Sequence, residues 1–492
     1  STNMSVLNHH KYSSLSKKYK ESEKFYIEPP LNGKISAALI YPNDYCLGMT
    51  NLGYLTVHRL LSQTPGLAVE RFFPGIGGES LSPPFYSFDT QRPLGDFEIL
   101  LFSFSFEGDF DNIPSIFAAL GLPLIAKKRN KHHPLLIAGG AAVMSNSEAL
   151  ADIFDILIPA EAETTIKPLF DILMQKGFEK DLVAQIPGIM LPSCPEKYIS
   201  PVHFHNLATS PAYTHIVSKY NAFGGAHIIE VMRGCPRICS FCLARSIYKP
   251  VRHLPKDALL ELLNTSLREC DDLGLTAPSL FDHPEINDIA LELIKRNIKI
   301  RNSSVKWEKL TPEIIDLLRL SGTTGLTLAP ETGSEHLRAA MQKPMSVERF
   351  LIRVKELYDA GFEHLKMYFM TCLPGETKKD VDETAAFIEK LEAIAPSPAA
   401  LSANFSVFIP KKQTFWENEE IWEEYKIKKH LQYLKSQLSH FRIKIRYDSY
   451  RQALRQAHLA KVGRELAIEY ESEVSKCAKD SLQINLTSDL EY

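Results

Sequence analysis

The sequence lacks any apolar run of about 18 residues, the length that a membrane-spanning helix needs. It also lacks an excess of charge of one sign, because 56 basic and 59 acidic residues leave a formal net charge of -3. A nearly neutral chain has no overall electrostatic attraction to nucleic acid or anionic membrane. A disulfide framework is also missing, since three of the eight cysteines are clustered and the others are scattered. We therefore expect a cytoplasmic protein with no membrane partner.

The chain has no solenoid repeat and no low-complexity tract, and its composition is 45% hydrophobic and 23% charged, as in folded globular domains. Its 492 residues exceed what one hydrophobic core usually serves, so two or three domains are expected. The pattern predicts an N-terminal tail (1–32), an α/β domain (33–190), a linker rich in Pro, Ser and His (191–225), a second α/β domain (226–409) and a C-terminal α+β extension (410–492).

Both α/β domains alternate short apolar strands with amphipathic helices. The predicted strands of the first domain are 36–41, 68–72, 99–104, 135–139 and 156–159. This alternation predicts a doubly wound, Rossmann-like parallel sheet that binds ligands at the carboxyl ends of its strands. The predicted strands of the second domain are 227–232, 279–282, 298–303, 325–329, 364–369 and 401–408. These six βα units are fewer than the eight of a closed TIM-type barrel.

Three cysteines follow the first strand of the second domain at the spacing C-x3-C-x2-C: Cys235, Cys239 and Cys242. Three thiolates on one loop can hold three irons of a four-iron cluster and leave the fourth iron without a protein ligand. A closed zinc site or a ferredoxin would need a fourth ligand, and Cys194 and Cys270 do not fit either pattern. The alternative, fortuitous buried cysteines, suits this stretch poorly, because a Gly-Cys-Pro turn and a basic loop make a poor core strand.

The stretch from Arg233 to Cys242, with Phe241 directly before the last thiol, resembles the cluster loop of the radical S-adenosylmethionine (radical SAM) superfamily. The resemblance implies a [4Fe-4S] cluster on the three cysteines, with SAM bound to the open iron and cleaved reductively to a 5′-deoxyadenosyl radical. It also implies a partial (β/α)6 barrel, which agrees with the six βα units. The implied partners are a reductant such as flavodoxin or ferredoxin and a small-molecule, peptide or nucleotide substrate.

The resemblance extends to the carboxyl ends of later strands. Glu331 ends the fourth strand, where similar proteins bind the SAM ribose; the alternative is a carboxylate stabilised by the helix that follows. Pro374 and Gly375 resemble the superfamily's adenine-contacting turn, although Cys372 stands where glycine is usual. Asp282, expected at the end of the second strand, either orients the SAM amine or caps the next helix.

Other side chains in these loops also have structural alternatives. Glu376 is expected to cap the following helix. Arg338 and Lys343 either supply charge to the SAM carboxylate or to an anionic substrate, or they are solvated helix residues. The full set of expected SAM contacts is Phe241, Asp282, Ser303, Glu331, Arg338, Pro374 and Gly375.

The first domain resembles the cobalamin-binding domains that are fused to many radical SAM enzymes. The cobalamin contacts expected from this resemblance are Met49, Ser103, Ser105, Gly139 and Gly140. Cobalamin domains that ligate cobalt from below use Asp-x-His-x-x-Gly after the first strand, whereas residues 44–48 of this chain contain no histidine. The resemblance therefore implies either cobalamin without a lower-axial His or a domain that keeps the fold without the cofactor.

The C-terminal extension is locally basic. From Tyr425 to Arg455 nine lysines and arginines stand against one acid, Asp448. Such a stripe can meet RNA, a nucleotide or another phosphorylated substrate, and a solvated helix face is an equal alternative. Nucleic acid is not the favoured partner, because the whole chain is nearly neutral.

The resemblances favour a cobalamin-dependent radical SAM C-methyltransferase that acts on an unactivated carbon. The first alternative is a radical SAM oxidoreductase, cyclase or rearrangement enzyme that does not use cobalamin. The second is a non-catalytic Fe-S or corrinoid sensor, which would not need ribose and adenine contacts at Glu331, Pro374 and Gly375. The sequence carries no readable pattern for the substrate itself.

Overall fold

The computed structural model describes residues 6–7, 9–30, 32–302, 304–477, 484 and 486 of the chain. Its contacts divide the chain into two compact units, residues 1–230 with 459–491 and residues 231–458. The whole of the predicted linker, 191–225, therefore belongs to the first unit, and the predicted C-terminal extension contributes to both. In the part of the chain so described, no helix has the length and apolarity that crossing a membrane requires.

The first unit is built on a parallel sheet of β1 (Ile35–Ile40), β2 (Leu67–Phe72), β3 (Ile99–Ser103), β4 (Leu135–Gly139) and β5 (Ile156–Ile158). The strand order is β2-β1-β3-β4-β5. The strands are nearly continuous apolar runs because both faces of the sheet are buried. The predicted doubly wound fold is confirmed. The order reverses between β1 and β3, and open α/β sheets bind ligands at such a switch point.

Helices and short strands surround this sheet. The helices of the first unit are His9–Lys20, Tyr45–Gly48, Leu52–Ser62, Ile113–Leu120, Ala141–Ser145, Ala162–Lys176, Lys180–Val183 and Leu466–Cys477. Its short strands are Val6–Leu7, Glu23–Phe25, Gly75–Ile76, Glu79–Leu81, Ile216–Ser218 and His227–Glu230. The last helix comes from the C-terminal end of the chain, packs against Ile113–Leu120 and donates from the Tyr470 hydroxyl to Asp111 at 2.8 Å.

The second unit carries β6 (Asp272–Thr276), β7 (Lys299–Ile300), β8 (Gly325–Glu331), β9 (His364–Thr371), β10 (Leu401–Val407) and β11 (Lys444–Tyr447). β6 and β7 pair in parallel, and β8, β9, β10 and β11 form a parallel sheet in that order. A parallel bridge between Ser304 and Thr327 links the two groups. Among the residues described, these strands do not close into a barrel, as expected of a partial barrel.

The predicted strand at 279–282 is wrong. The strand lies earlier, at β6, where Leu273 and Leu275 are buried. Leu280–Asp282 instead forms a 3-10 turn, in which the N–H of Asp282 donates to the carbonyl of Ser279 at 3.0 Å. Asp282 consequently lies in the loop beyond the strand rather than at its end.

The helices of the second unit cover one face of its sheet. They are Leu243–Ile247, Lys256–Asn264, Ile286–Lys295, Pro312–Leu320, Glu335–Ala340, Val347–Asp359, Lys378–Ile394, Glu424–Leu438 and Tyr450–Lys461, and a short antiparallel ladder joins Met232–Arg233 to Arg252–His253. On the covered face, Phe369 of β9 stacks on Phe405 of β10 with ring centroids 5.0 Å apart, and Phe387 of Lys378–Ile394 lies 6.2 Å from Phe369. This apolar face is the core between sheet and helices.

Candidate active site

The cysteine loop starts beside the carboxyl end of β6. The backbone N–H of Val231 donates to the carbonyl of Thr276 at 3.0 Å, which fixes the chain three residues before the loop. Gly234 then adopts a φ of +84°, and a Cβ on it would lie 2.6 Å from the carbonyl oxygen of Tyr248. Because only glycine tolerates both the conformation and this close approach, Gly234 fixes the point from which the loop departs.

Ser240 anchors the middle of the cysteine loop. Its backbone N–H donates to the carbonyl of Met341 at 2.9 Å, and its hydroxyl donates to the carbonyl of Ala340 at 3.1 Å. Its own carbonyl accepts the N–H of Trp416 at 3.2 Å. The side chain is 1% exposed. These bonds tie the loop to the end of Glu335–Ala340 and to the segment after β10, a role that the sequence analysis did not predict for Ser240.

The three thiols of the loop are half-buried and free of disulfides. Burial raises the pKa of the Cys239 thiol; nearby Lys343 lowers it, and the other two thiols and Glu331 raise it. Among the residues that the structure describes, no three His, Cys, Asp or Glu side chains are placed to hold a single metal ion. A four-iron cluster does not need that arrangement, because each thiolate binds a different iron. Three accessible thiols on one anchored loop fit such a cluster.

Phe241 lies with residues that follow several strands. A small buried cluster consists of Leu337, Met341, Leu373 and Phe408, and Phe241, Met370 and Trp416 pack against it. The rings of Phe241 and Trp416 are 6.4 Å apart at their centroids. The loops after β8, β9 and β10 therefore share one apolar contact with the cysteine loop, and Leu373 brings the neighbouring Pro374 into this region.

Glu331 ends β8 in a left-handed conformation, with a φ of +67°. A non-glycine residue with this backbone is strained, and such strain persists where the surrounding structure holds it. Its carboxylate accepts from Lys343 Nζ at 2.6 Å, and the same ammonium donates to the carbonyl of Ala329 at 2.8 Å. The helix that follows is capped by the Ser334 hydroxyl. The observed partner of Glu331 is thus a lysine at the strand's carboxyl end and not the helix N-terminus.

Asp282 lies beside the cysteine loop and bonds to several cations. Its carboxylate contacts Arg237 at 3.2 Å, Lys306 at 2.8 Å and Lys309 at 3.4 Å, and it accepts the Ser279 hydroxyl at 2.5 Å. Burial alone would raise its pKa, but the bonds from Lys306, Ser279 and Arg237 hold the pKa of this carboxyl well below its usual range. Because Arg237 lies between Cys235 and Cys239, its ion pair with Asp282 holds the cysteine loop in place.

The turn after β9 has two left-handed residues around Pro374. Cys372 has a φ of +59° and Gly375 a φ of +76°. No atom lies within 4 Å of a Cβ built on Gly375, so the backbone there is open to a ligand. Burial raises the pKa of the Cys372 thiol above its ordinary range. The turn itself therefore fits the predicted adenine contact.

The predicted helix cap at Glu376 is wrong, because the helix Lys378–Ile394 is capped by Thr377 and Asp380. Glu376 instead accepts the backbone N–H of Leu373 at 2.8 Å and contacts His430 Nε2 at 3.2 Å. His430 comes from Glu424–Leu438, beyond the predicted barrel, and the sequence analysis did not single it out.

Arg338, another expected SAM contact, is buried and bonded to the backbone. Arg338 is 5% exposed, and its guanidinium donates to the carbonyl of Thr332 at 3.0 Å. Burial lowers the pKa of this guanidinium. Arg338 thus holds the segment after β8 in place, whereas Lys343 contacts the carboxylate of Glu331. Ser303 lies outside the described residues.

The five expected cobalamin contacts lie at or near the carboxyl edge of the first sheet. Met49 and Ser103 are buried, at 0% and 6% exposure, and Met49 Sδ accepts from Arg71 at 3.4 Å. Ser105, Gly139 and Gly140 are half-buried, and the Ser105 hydroxyl accepts from Asn51 at 2.8 Å. A Cβ on Gly140, with a φ of +107°, would lie 2.4 Å from the Phe104 carbonyl oxygen.

The interior of the switch point is filled by the protein's own side chains. Asn43, after β1, donates to buried Asp109 at 2.7 Å, and Asn112 donates to the carbonyl of Pro42 at 2.8 Å. Burial raises the pKa of Asp109 to about 7 and that of the nearby Cys46 thiol to about 11. Within the described part of this edge, the groups named above are hydroxyl, thioether, thiol, carboxamide, carboxyl and backbone groups, and residues 44–48 contain no histidine.

Comparison with known proteins agrees with this geometry. Residues 229–388 match the model of the radical SAM superfamily, and residues 53–192 match the model for the N-terminal region of radical SAM proteins. The chain therefore contains a radical SAM domain, preceded by the N-terminal region of radical SAM proteins. The uncharacterized protein MJ0966 of Methanocaldococcus jannaschii is 27% identical over 436 residues, 87% of this chain and 88% of its own. A tRNA-2-methylthio-N(6)-dimethylallyladenosine synthase of Thiobacillus denitrificans is 25% identical over 34% of this chain and 41% of that enzyme.

Solved structures of radical SAM proteins share the fold. The radical SAM methyltransferase TsrM of Kitasatospora setae superposes with a TM-score of 0.53 at 14% identity, covering 75% of this chain and 72% of TsrM. The cobalamin-dependent radical enzyme OxsB, with aqua-cobalamin and SAM bound, superposes with a TM-score of 0.50 at 15% identity, covering 82% of this chain and 56% of OxsB. At these identities the likeness concerns the fold: a cobalamin-binding-type α/β domain followed by a radical SAM domain.

Proposed function

We propose that this radical SAM protein cleaves SAM at a [4Fe-4S] cluster held by Cys235, Cys239 and Cys242. The observation that carries the proposal is the anchoring of three half-buried thiols on one loop, which Ser240 bonds to the loops after β8 and β10. Bound together, the cluster and SAM supply a 5′-deoxyadenosyl radical. An external electron donor such as flavodoxin or ferredoxin would supply the electron that reduces the cluster.

Several side chains have defined tasks in this proposal. Glu331, held by Lys343, accepts the ribose hydroxyls, and the open backbone at Pro374 and Gly375 receives the adenine. Phe241 covers the cluster loop on its apolar side. Asp282 acts as a positioning residue through its ion pair with Arg237, and this replaces its expected contact with the SAM amine.

The finer proposal is methyl transfer to an unactivated carbon with cobalamin as the carrier. Its support is the two-domain fold shared with TsrM and OxsB. At the first sheet, Ser105 and the backbone at Gly139 and Gly140 are the groups able to hold a corrin on the carboxyl edge. Residues 44–48 contain no histidine that could ligate cobalt, and buried Asn43 and Asp109 are already bonded to each other at the switch point.

A second candidate is an oxidoreductase, cyclase or rearrangement enzyme that does not use cobalamin. The filled switch point and the absence of histidine in residues 44–48 favour it. The third reading, a sensor without turnover, is disfavoured by the open adenine turn at Gly375 and the strained Glu331.

The deciding experiment is an anaerobic reconstitution of the full chain with iron and sulfide, followed by reduction in the presence of SAM. Formation of 5′-deoxyadenosine is expected, and Cys235→Ala should abolish both cluster absorbance and cleavage. An intact cluster that never cleaves SAM would reject both radical functions. Equilibration with hydroxocobalamin then separates the two enzymes, because stoichiometric corrinoid retention supports methyl transfer and its absence supports the cobalamin-independent reaction.

A further inference from the structure

One carboxylate beside the cysteine loop is surrounded by three cations. The carboxylate of Asp282 contacts Arg237 of the loop at 3.2 Å. It also contacts Lys306 at 2.8 Å and Lys309 at 3.4 Å. The Asp282 side chain is 7% exposed, whereas the three cationic side chains are 28% to 45% exposed. We call Asp282, Arg237, Lys306 and Lys309 the Asp282 group.

The charges of the Asp282 group do not balance. Three cations share one carboxylate, and Glu308, an exposed residue that interacts electrostatically with Arg237, adds one more negative charge. Three positive charges against two negative ones leave a surplus of one. By contrast, Lys343 and Glu331, which also lie near the loop, form a balanced pair at 2.6 Å.

The two lysines are held beside Asp282 by a short turn. Trp307 begins this 3-10 turn and Lys309 ends it, and the N–H of Lys309 donates to the carbonyl of Lys306 at 3.1 Å. The Trp307 ring packs edge-on against buried Phe350, with centroids 5.5 Å apart. Like charges repel, so keeping a second and a third cation at one carboxylate is unfavourable unless further negative charge lies nearby.

The cysteine loop is where further negative charge would arise. Arg237 lies between Cys235 and Cys239 in the sequence. The bond to Asp282 raises the pKa of Arg237, burial lowers it, and the charges of Asp282, Glu308 and the Cys235 thiol raise it further. A four-iron cluster on this loop would add the charges of three thiolates, and its reduction would add one electron. The reduction potential of such a cluster depends on the charge around it.

We propose that the Asp282 group raises the reduction potential of the [4Fe-4S] cluster, with Lys306 and Lys309 supplying the surplus positive charge. The inference rests on the proposed function and assigns redox tuning to the same site. One electron passes from the external flavodoxin or ferredoxin to the oxidised cluster, and a nearby positive charge stabilises the reduced form more than the oxidised one. A weaker reductant therefore suffices.

The test is a redox titration of the reconstituted full chain without SAM, followed by the electron paramagnetic resonance signal of the reduced cluster. Lys306→Gln combined with Lys309→Gln should lower the midpoint potential, so that less than half of the cluster is reduced at the wild-type midpoint. Lys306→Arg combined with Lys309→Arg should keep the wild-type value. Lys299→Gln is the matched control, because it removes an exposed lysine at the start of β7 and should change nothing.

Salt provides a second readout. Because the cations are partly exposed, raising the ionic strength screens them, and the wild-type midpoint should fall. The fall should be smaller in the double glutamine variant, which has lost two of the three cations. Iron and sulfide per chain are measured for every protein. If the double variant does not load a cluster, Lys309→Gln alone replaces it, since the contacts of Arg237 and Lys306 with Asp282 remain; a smaller shift in the same direction is expected.

The outcomes separate the tuning from the proposed function. An unchanged midpoint in a fully loaded glutamine variant, or an equal shift in Lys299→Gln, overturns the inference. A wild type that cleaves SAM with a midpoint insensitive to these lysines refutes the tuning alone. A wild type that assembles no reducible cluster refutes the proposed function and the inference with it.

Discussion

His430 Nε2 lies 3.2 Å from Glu376 Oε1 and 3.1 Å from the Thr371 hydroxyl. The histidine and glutamate side chains are only 9% and 6% exposed. Trp422 packs edge-on against the imidazole, with centroids 5.0 Å apart. Because Glu376 also accepts the Leu373 N–H, a helix beyond the predicted barrel helps to hold the turn that we expect to receive the SAM adenine.

Replacing His430 should weaken SAM binding without removing the cluster. His430→Phe keeps an aromatic ring against Trp422 but withdraws the N–H from Glu376, and losing a bond to a charged group costs about 1.5–3 kcal/mol. We expect the SAM Kd of the reconstituted protein to rise roughly tenfold or more, with iron content unchanged. His440→Phe, at an exposed histidine after the same helix, is the control. Unchanged SAM affinity in a fully loaded His430→Phe protein would contradict this role.

Gly234→Ala should prevent stable cluster assembly. The new Cβ would meet the Tyr248 carbonyl oxygen at 2.6 Å, in a backbone region with a φ of +84° that side chains disfavour. The matched control is Gly224→Ala, which has a φ of +64° but no atom within 4 Å of the Cβ. Iron and sulfide per chain after reconstitution should fall sharply only in Gly234→Ala. Equal loss in both variants would mean that backbone conformation, and not the collision, is responsible.

Glu331→Gln should impair SAM binding more than it impairs folding. The substitution keeps the shape of the side chain but removes the charge that pairs with Lys343 at 2.6 Å and that we expect to accept the ribose hydroxyls. A rise in SAM Kd of roughly tenfold is expected from losing charge-assisted bonds, with a small change in melting temperature. Glu335→Gln, an exposed carboxylate four residues later, should bind SAM as the wild type does. A purely structural Glu331 would instead lower the melting temperature and leave the Kd unchanged.

The sequence predicted most strands and helices, because their apolar residues recur at regular spacing. It did not predict the contacts between residues that lie far apart in the chain. Alternating apolar residues located most strands, but at 279–282 the apolar pair Leu280 and Phe281 belongs to a turn, because Pro278 and Ser279 end the extended chain. Glu331 was predictable from its place at a strand end. Nothing local marks Ser240 or His430, whose partners lie 100 and 54 positions away, and only folding brings such residues together.

The buried histidines of the first unit should make stability fall with acid. His58 Nδ1 lies 2.9 Å from His215 Nε2, and the other ring nitrogen of each is buried with no hydrogen-bond partner among the described residues. Burial lowers the pKa of both imidazoles well below the ordinary value. His58 and Arg59 lower the pKa of His215 further, and Arg71 lowers the pKa of both. Burial also lowers the pKa of His227, to about 4. All three are therefore neutral in the folded protein at neutral pH.

A histidine whose pKa is lower in the folded protein than in the unfolded chain binds a proton more readily when the chain is unfolded. The free energy of unfolding therefore falls as the pH falls below about 6.5, the pKa of histidine in the unfolded chain. For His227 this loss continues until its folded pKa, about 4, is reached. Circular dichroism melts of the full chain between pH 8 and 5 should show a declining midpoint. His58→Gln should decline less steeply, because one of the neutral imidazoles is gone, whereas exposed His132→Gln should match the wild type. Parallel declines in all three proteins would show that the buried pair does not control acid stability.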